Sequence, residues 1–561
     1  MNGCSAPKAI PRFSPWLAAA LLGLLCTGSP DHFRANDSDM PSFEDIALGS
    51  GLNMVVRSGS LAKSRITEMF TGGVCVLDYD GDGNMDIYIV NGAEFENRLY
   101  RNLGNETFED VTERAGVGSQ KNWGMGCAAA DFNNDGAVDL FVTNLGRNQL
   151  YRNNGDGTFK DISRSSGVDS LAWSTGAAWG DFDGDGWLDL YVANYVEFDF
   201  SAGRVIPDIS RSSAVETCKY FDLDIPCGPR GLEPAADLFF RNDGNETFSE
   251  VSGRRGLRAA SSFGLGVCPS DYDNDGDLDI FVANDSAPNF LFQNNGRGDF
   301  QEVALLSGVA YNEDAHPQAC MGADLADFDN DGWLDLIVTN FSEDTNTLYR
   351  NEGDGFFVDV STQAGMKDSL PYMGWGVGLV DLDNDGAKDL YVVNGHTYPT
   401  VDKLKNRLGY RQPDLLYRNL GNGRFANVSR SLSHKKHVGR GLAFGDFNND
   451  GWLDLVITSI DDRPKLLLSR PRTAHHWIRI RLVGSESNRD GIGARVTVMT
   501  ELGRQIAEVK AGCSYLSSSD PRVHFGLGAA DRIERLVVRW PSGKLSEALD
   551  VAVDQEITFR E

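Results

Sequence analysis

The sequence predicts an all-β chain, a seven-bladed β-propeller with a small C-terminal β domain. Three observations carry this. An acidic phrase, D-x-[DN]-x-D-G-x-x-D, begins at Asp78, Asp131, Asp181, Asp271, Asp327, Asp381 and Asp446, at spacings of 53, 50, 90, 56, 54 and 65 residues. Each phrase runs into an apolar stretch that reads as a buried strand. Finally, a segment near the N-terminus supplies a strand that the last repeat lacks.

Residues 1–28 read as an export signal: Lys8 and Arg12 precede the apolar run from Trp16 to Cys26, and Cys26-Thr27-Gly28 offers small residues for cleavage. The run is too short for a membrane span. The expected location is therefore secreted and extracellular, or periplasmic or cell-surface in a bacterium. A lipid anchor on Cys26 is the alternative, disfavoured by the bulk of Leu25 before it.

The repeats occupy residues 41–470. Strand-like runs such as "DLFVTN", "DLYVAN" and "DIFVAN" follow the acidic phrases, and "LYRNLGNETFEDV" (99–111) and "LYRNNGDGTFKDI" (150–162) read as hairpins with their turn residues in place. A unit of about fifty residues holding about four strands is a propeller blade. "FEDI" at 43–46 matches the closing strand of a repeat but precedes the first acidic phrase, whereas the seventh phrase is followed by "KLLLSR" and no such partner. The N-terminal strand is expected to complete the last blade. Residues 471–561 then form the separate β domain.

The phrase has the chemistry of a hard-cation site. Alternate residues of a tight turn point to one side, Gly at position 6 permits the bend, and the position-7 carbonyl turns inward. The first loop offers Asp78, Asp80, Asp82, Asn84 and Asp86, and the second Asp131, Asn133, Asp135, Ala137 and Asp139. The third offers Asp181, Asp183, Asp185, Trp187 and Asp189, and the fourth Asp271, Asp273, Asp275, Asp277 and Asp279. The fifth offers Asp327, Asp329, Asp331, Trp333 and Asp335, and the sixth Asp381, Asp383, Asp385, Ala387 and Asp389. The seventh offers Asp446, Asn448, Asp450, Trp452 and Asp454. Up to seven Ca2+ ions are expected; Mg2+ demands octahedral geometry and sheds water reluctantly. An EF-hand is excluded, because position 12 is Val or Ile in every copy and a strand replaces the exiting helix. Asn133 and Asn448 keep an oxygen but lose a charge, so their loops should bind more weakly.

The formal charge of −29 argues against nucleic acid or an anionic membrane surface as partner. The seven phrases hold 27 of the 81 acidic residues, so much of the acidity is ligand rather than surface. Cys218 and Cys227, close together in a loop-like stretch, are expected to form a disulfide in an oxidising compartment. Cys75, Cys127, Cys268 and Cys320 precede acidic phrases on inner strands and read as small buried hydrophobes. Cys513 receives no role.

The acidic phrases resemble FG-GAP (integrin-α-like) repeats over residues 41–470. The last ninety residues resemble the ASPIC/UnbV domain through "NRDGIGARVTV" from Asn488, "HFGLG" from His524 and "VRWPSGK" from Val538. The combination is similar to the cartilage acidic protein family and its bacterial relatives. The resemblance implies calcium in the propeller loops and an extracellular adhesion or interaction role. The animal proteins carry a calcium-binding EGF-like module that does not follow here, so a bacterial-type member is expected.

Strand parity locates a working face. The acidic loops join the first and second strands of a blade, so connections between second and third strands rise on the other face. Two of these are long, 195–238 and 395–415. Long loops on a rigid scaffold are where function concentrates. The expected partner is an extracellular protein or glycan on that face. His396, in the second insertion, reads as a loop hydrogen-bonder. The basic stretch 463–481 (Arg463, Lys465, Arg470, Arg472, Arg479, Arg481) is expected to dock the last domain on the acidic ring. No G-x-S-x-G, H-E-x-x-H or Cys/His ligand pair is present, so an interaction module rather than an enzyme is expected. The alternatives are a lectin, with Trp123, Trp173 and Trp375 as platforms, or a propeller hydrolase or lyase acting on an extracellular polysaccharide.

Overall fold

The computed structural model describes residues 39–561 apart from 93–94, 120–121, 206–216, 258–260, 354, 405–408 and 434. The expected export signal lies outside the described residues. No helix among the described residues is long and apolar enough to cross a membrane.

The chain is all-β and propeller-like. The first sheet is the four-stranded antiparallel meander Val74–Leu77, Asp86–Ile89, Arg98–Asn102 and Phe108–Asp110. The same order recurs from Trp123 to Asp161, from Leu171 to Glu250, from Gly264 to Glu302, from Cys320 to Asp359 and from Gly374 to Asn427. The second and third sheets are continuous, because Leu171–Trp173 pair with Leu145–Arg147. The last sheet contains Gly439–Gly445, Asp454–Ser459 and Lys465–Arg470, and its outer strand is Ser42–Asp45, with Phe43 opposite Ser469 and Glu44 opposite Leu468. The first strands stand side by side in sequence order, and Gly439–Gly445 lies against Val74–Leu77.

The second strands explain the packing. Asp189–Asn194 is buried at every position, as are its counterparts except the far end of Asp139–Arg147, because neighbouring sheets cover both of its faces. The Asn of each "LYRN" stitches one sheet to the sheet before it. Asn153 Nδ2 donates to the Tyr79 carbonyl at 2.7 Å, Asn242 to Phe132 at 3.0 Å and Asn351 to Tyr272 at 2.8 Å. Asn102 closes the series by donating to Phe447 of the last sheet at 2.8 Å.

In the C-terminal segment His476–Val483 lies between Val523–Gly528 (antiparallel) and Gln555–Arg560 (parallel), beside a four-stranded antiparallel sheet of Gly503–Glu508, Arg495–Thr500, Arg532–Arg539 and Leu545–Ala552. Its Ile478, Ile480, Val496 and Trp540 share one core with Trp179, Phe182 and Leu278 of the repeats. Residues Asn36–Glu561 form one compact unit.

A single loop of this segment reaches every sheet. Ala511 accepts from Trp179 N–H at 2.9 Å, Leu516 from Cys127 at 3.2 Å and Ser518 from Val76 at 2.9 Å. Ser514 N–H donates to Ala323 O at 2.7 Å, its hydroxyl accepts from Val377 N–H at 3.0 Å, and Asp520 N–H donates to Phe444 O at 2.9 Å. The fourth sheet is reached covalently, through a disulfide between Cys268 and Cys513. This corrects two readings: Cys268 is half of a disulfide, not a packing residue, and Cys513 is its partner. Cys513, Ser514 and Leu516 have φ of 118°, 60° and 53°, a left-handed backbone held in place by these contacts. The fit is close: a Cβ at Gly73 would lie 2.1 Å from the Leu516 carbonyl oxygen.

Candidate functional site

Each acidic loop is built on its first Asp. Asp181 accepts N–H bonds from Asp185 and Gly186, both at 3.0 Å, and Gly186, at φ 85°, supplies the left-handed turn that brings them round. The position-5 carboxylate accepts the N–H of position 7 in all seven loops, from Asn84, Ala137, Trp187, Asp277, Trp333, Ala387 and Trp452, at 2.8–3.0 Å. The position-9 Asp brackets the sheet: Asp86, Asp139, Asp189, Asp279, Asp335 and Asp389 accept from the N–H of the "LYRN" Asn, and Asp454 from Ser469, at 2.7–2.9 Å. Sequence reasoning assigned position 9 to ligation alone; its first task here is to hold the third strand.

Carboxylate oxygens of Asp78, Asp80 and Asp86 lie within 4.8 Å of one another, as do those of Asp181, Asp183 and Asp185, of Asp271, Asp273 and Asp279, and of Asp327, Asp329 and Asp335. Burial pushes these acids up: Asp86 to about 8, Asp131 and Asp181 to about 7, Asp327 to about 6, and Asp189, Asp279, Asp335, Asp389 and Asp454 well above the carboxylate range.

Several buried oxygens make no hydrogen bond: Oδ1 of Asp78, Asp80, Asp183, Asp271 and Asp329, and Oδ2 of Asp189 and Asp279. They fall in the first, third, fourth and fifth loops, all with Asp at position 3; in the sixth, Asp383 Oδ2 faces the Arg418 guanidinium. In the second and seventh loops the amide of Asn133 donates to Asp135 at 2.8 Å and that of Asn448 to Asp450 at 2.9 Å, so those loops satisfy themselves. Guanidinium groups also enter from the third strands, "LYRN" or "FFRN": Arg101 meets Asp80 at 2.6 Å, Arg241 meets Asp183 at 2.9 Å and Arg418 meets Asp383 at 3.0 Å.

The C-terminal segment covers this face. Arg479 pairs with Asp446, both buried, and Arg539 with Asp271. Arg481 meets Asp78 at 3.0 Å, and Arg489 N–H donates to Asn134 at 2.8 Å. Arg470 bridges Glu44 and Glu106 at 2.9 and 3.0 Å. The basic stretch therefore docks through Arg479 and Arg481, whereas Arg470 ties repeat strands to one another.

At the opposite ends of the sheets lie the two insertions. Cys218 and Cys227 form a disulfide there. His396 is fully buried, its Nδ1 accepting from Tyr398 N–H at 3.1 Å. Trp173 and Trp375 are fully buried and Trp123 partly so, which makes them walls of the central cluster, not exposed platforms.

The FG-GAP-like repeat model matches residues 78–142, 131–192, 271–338, 327–392 and 408–457, and the ASPIC and UnbV model matches 484–561. The chain is 27% identical to Cartilage acidic protein 1 of Xenopus tropicalis over 493 residues, covering 84% of this chain and 70% of that protein. It is 26% identical to the Homo sapiens protein over 497 residues, covering 84% and 69%. A solved Agrocybe aegerita lectin aligns with 64% of this chain and 79% of its own at 18% identity and a TM-score of 0.36, too slight a likeness to bear on function. The chain belongs to the FG-GAP-like repeat family, carries an ASPIC and UnbV domain at 484–561, and is similar over most of its length to Cartilage acidic protein 1.

Proposed function

We propose that this protein is a secreted, calcium-stiffened seven-bladed propeller, residues 41–470, capped by a β domain, residues 471–561. It acts by binding an extracellular protein or glycan rather than by catalysis. The observation that carries the reading is the set of buried carboxylate oxygens without donors in four acidic loops. A buried acceptor left unpaired is costly, and oxygen-only donor sets on a tight turn suit calcium. Positions 1, 3 and 5 would hold the ion, whose charge offsets the repulsion among them and stiffens each loop. Two disulfides favour an oxidising compartment. The acidic face is covered by the C-terminal segment, so the partner is assigned to the opposite face.

Metal analysis of the dialysed protein with thermal melts in calcium and in EGTA tests this. Several calcium ions per chain and a marked fall in Tm on chelation are expected. No bound metal and an unchanged Tm would overturn the calcium reading.

A further inference from the structure

On the face opposite the acidic loops a cavity of about 330 Å³ opens at the centre of the sheets. Its lining comes from the upper ends of the sheets: Tyr195, Asp285, Phe341 and Thr397 each follow a second strand, and Met321 and Trp375 stand at the start of first strands. Both insertions contribute, the first through Tyr220 and Arg230 and the second through Thr397 and Tyr398. The size falls at the low end of small-molecule sites.

The walls are aromatic. Phe70, Tyr195, Tyr220, Phe341, Trp375 and Tyr398 line it, with Phe70 4.8 Å from Tyr195 and 5.9 Å from Trp375, and Tyr220 5.7 Å from Phe341. Between the rings stand polar groups of both kinds. Asp285 accepts from the Tyr195 hydroxyl at 2.6 Å and from Ser286 at 2.9 Å. Asp344 and Arg230 sit at the mouth, and the Thr397 hydroxyl, nine-tenths buried, makes no hydrogen bond. Burial raises both carboxyls, with Arg230 opposing the rise.

Charge decides among the ligands such a box would take. An aromatic cage with two carboxylates would select an alkylammonium ion. Here Arg230 faces both acids, and Arg440, buried behind the wall, already stacks on Trp375 at 3.9 Å from the ring centroid. Within the lining Asp285 and Asp344 face one guanidinium, Arg230, and Asp285 is already held by two hydroxyl donors, so little negative charge is left for a cation to answer and none is offered to an anion. What remains is a neutral ligand with an apolar face to stack and hydroxyls to exchange bonds with Asp285, Asp344, Arg230 and Thr397.

We infer that this central cavity is a binding site for a neutral saccharide ring, stacked on the aromatic wall and held through its hydroxyls by Asp285 and Asp344. The inference rests on the assignment of the partner to this face and names its chemistry.

Saturation-transfer NMR on the full chain in calcium, with D-glucose, D-galactose, D-mannose and tetramethylammonium as probes, tests it. At least one hexose should show transfer to its ring C–H protons, lost in both Tyr220→Ala and Asp344→Asn and retained in Asp531→Asn, with Tm unchanged in all three. No transfer to any hexose, transfer that persists in both cavity variants, or transfer to tetramethylammonium alone would overturn the inference. Such a failure alongside a chelator-sensitive Tm removes the saccharide and leaves the calcium propeller; a hexose signal with a chelator-insensitive Tm does the reverse.

Discussion

Cys513 is bonded to Cys268 across 245 residues of sequence, and the bond fixes a loop that touches the first strand beside each acidic phrase. The closed loop is long, and in the chain-entropy account such a cross-link destabilises the unfolded chain by up to about 5 kcal/mol. Cys513→Ser should therefore lose about 2–5 kcal/mol of stability, more than Cys227→Ser, whose loop spans only 9 residues. Paired thermal melts check this. Equal losses for the two variants would mean that the hydrogen bonds of 511–520 hold the loop without the disulfide.

Metal should distribute unevenly. Loops beginning at Asp78, Asp181, Asp271 and Asp327 carry oxygens without donors, whereas those at Asp131 and Asp446 are satisfied by Asn133 and Asn448, and Asp383 of the sixth loop is met by Arg418. Calcium titration by calorimetry should show four tighter sites, an intermediate one in the sixth loop and two much weaker or vacant ones. Asn448→Asp in the weak loop and Asp183→Asn in a strong one should move the count in opposite directions. Seven equal sites would remove the distinction drawn from position 3.

Arg479 is the cation of the seventh loop. Its side chain is 3% exposed and pairs with a fully buried Asp446, while its other nitrogens reach Asn449 at 3.1 Å and Glu556 at 2.8 Å. Removing one partner of a buried pair strands the other, at a cost of about 3–5 kcal/mol. Arg479→Met should show a loss of that size by denaturant unfolding, with restoration in the double variant Arg479→Met/Asp446→Asn. A loss below about 1 kcal/mol, the range of an exposed pair, would contradict the burial.

The sequence exposes those features that are local and repeated. A turn that gathers carboxylates needs Asp and Gly at fixed offsets, so all seven loops can be read directly, and an orphan strand at 43–46 points to its partner because the hairpin pattern is regular. Tertiary features leave no such trace. Cys268 sits in a strand whose alternation reads as core, and its partner lies in "KAGCSYLSSSD", which has no period because contacts with successive repeats set its path. The arginines of "LYRN" and "FFRN" read as strand residues, and only the fold shows that Arg101, Arg241 and Arg418 enter the acidic loops. The central cavity draws on eight separate stretches of chain and has no motif.

His396 sets the final expectation, an acid-side loss of stability. It is packed among Tyr220, Phe341 and Tyr398, and burial, reinforced by Arg440, pushes its pKa down to about 3. In the unfolded chain the imidazole titrates near 6.5. Above that pH it is neutral in both states and contributes no pH dependence. As pH falls below 6.5 the unfolded chain binds a proton that the folded chain refuses, so folding weakens by about 1.4 kcal/mol per pH unit until the folded group itself titrates. The carboxylates of the acidic loops also titrate on this side, so the comparison is made against His396→Asn, which keeps an acceptor near the Tyr398 N–H and removes the titration. The stability difference between wild type and variant should shift by about 2 kcal/mol between pH 7 and pH 5, the variant gaining in relative terms as pH falls. A difference constant over that range would place the imidazole in contact with water and contradict its burial among Tyr220, Phe341 and Tyr398.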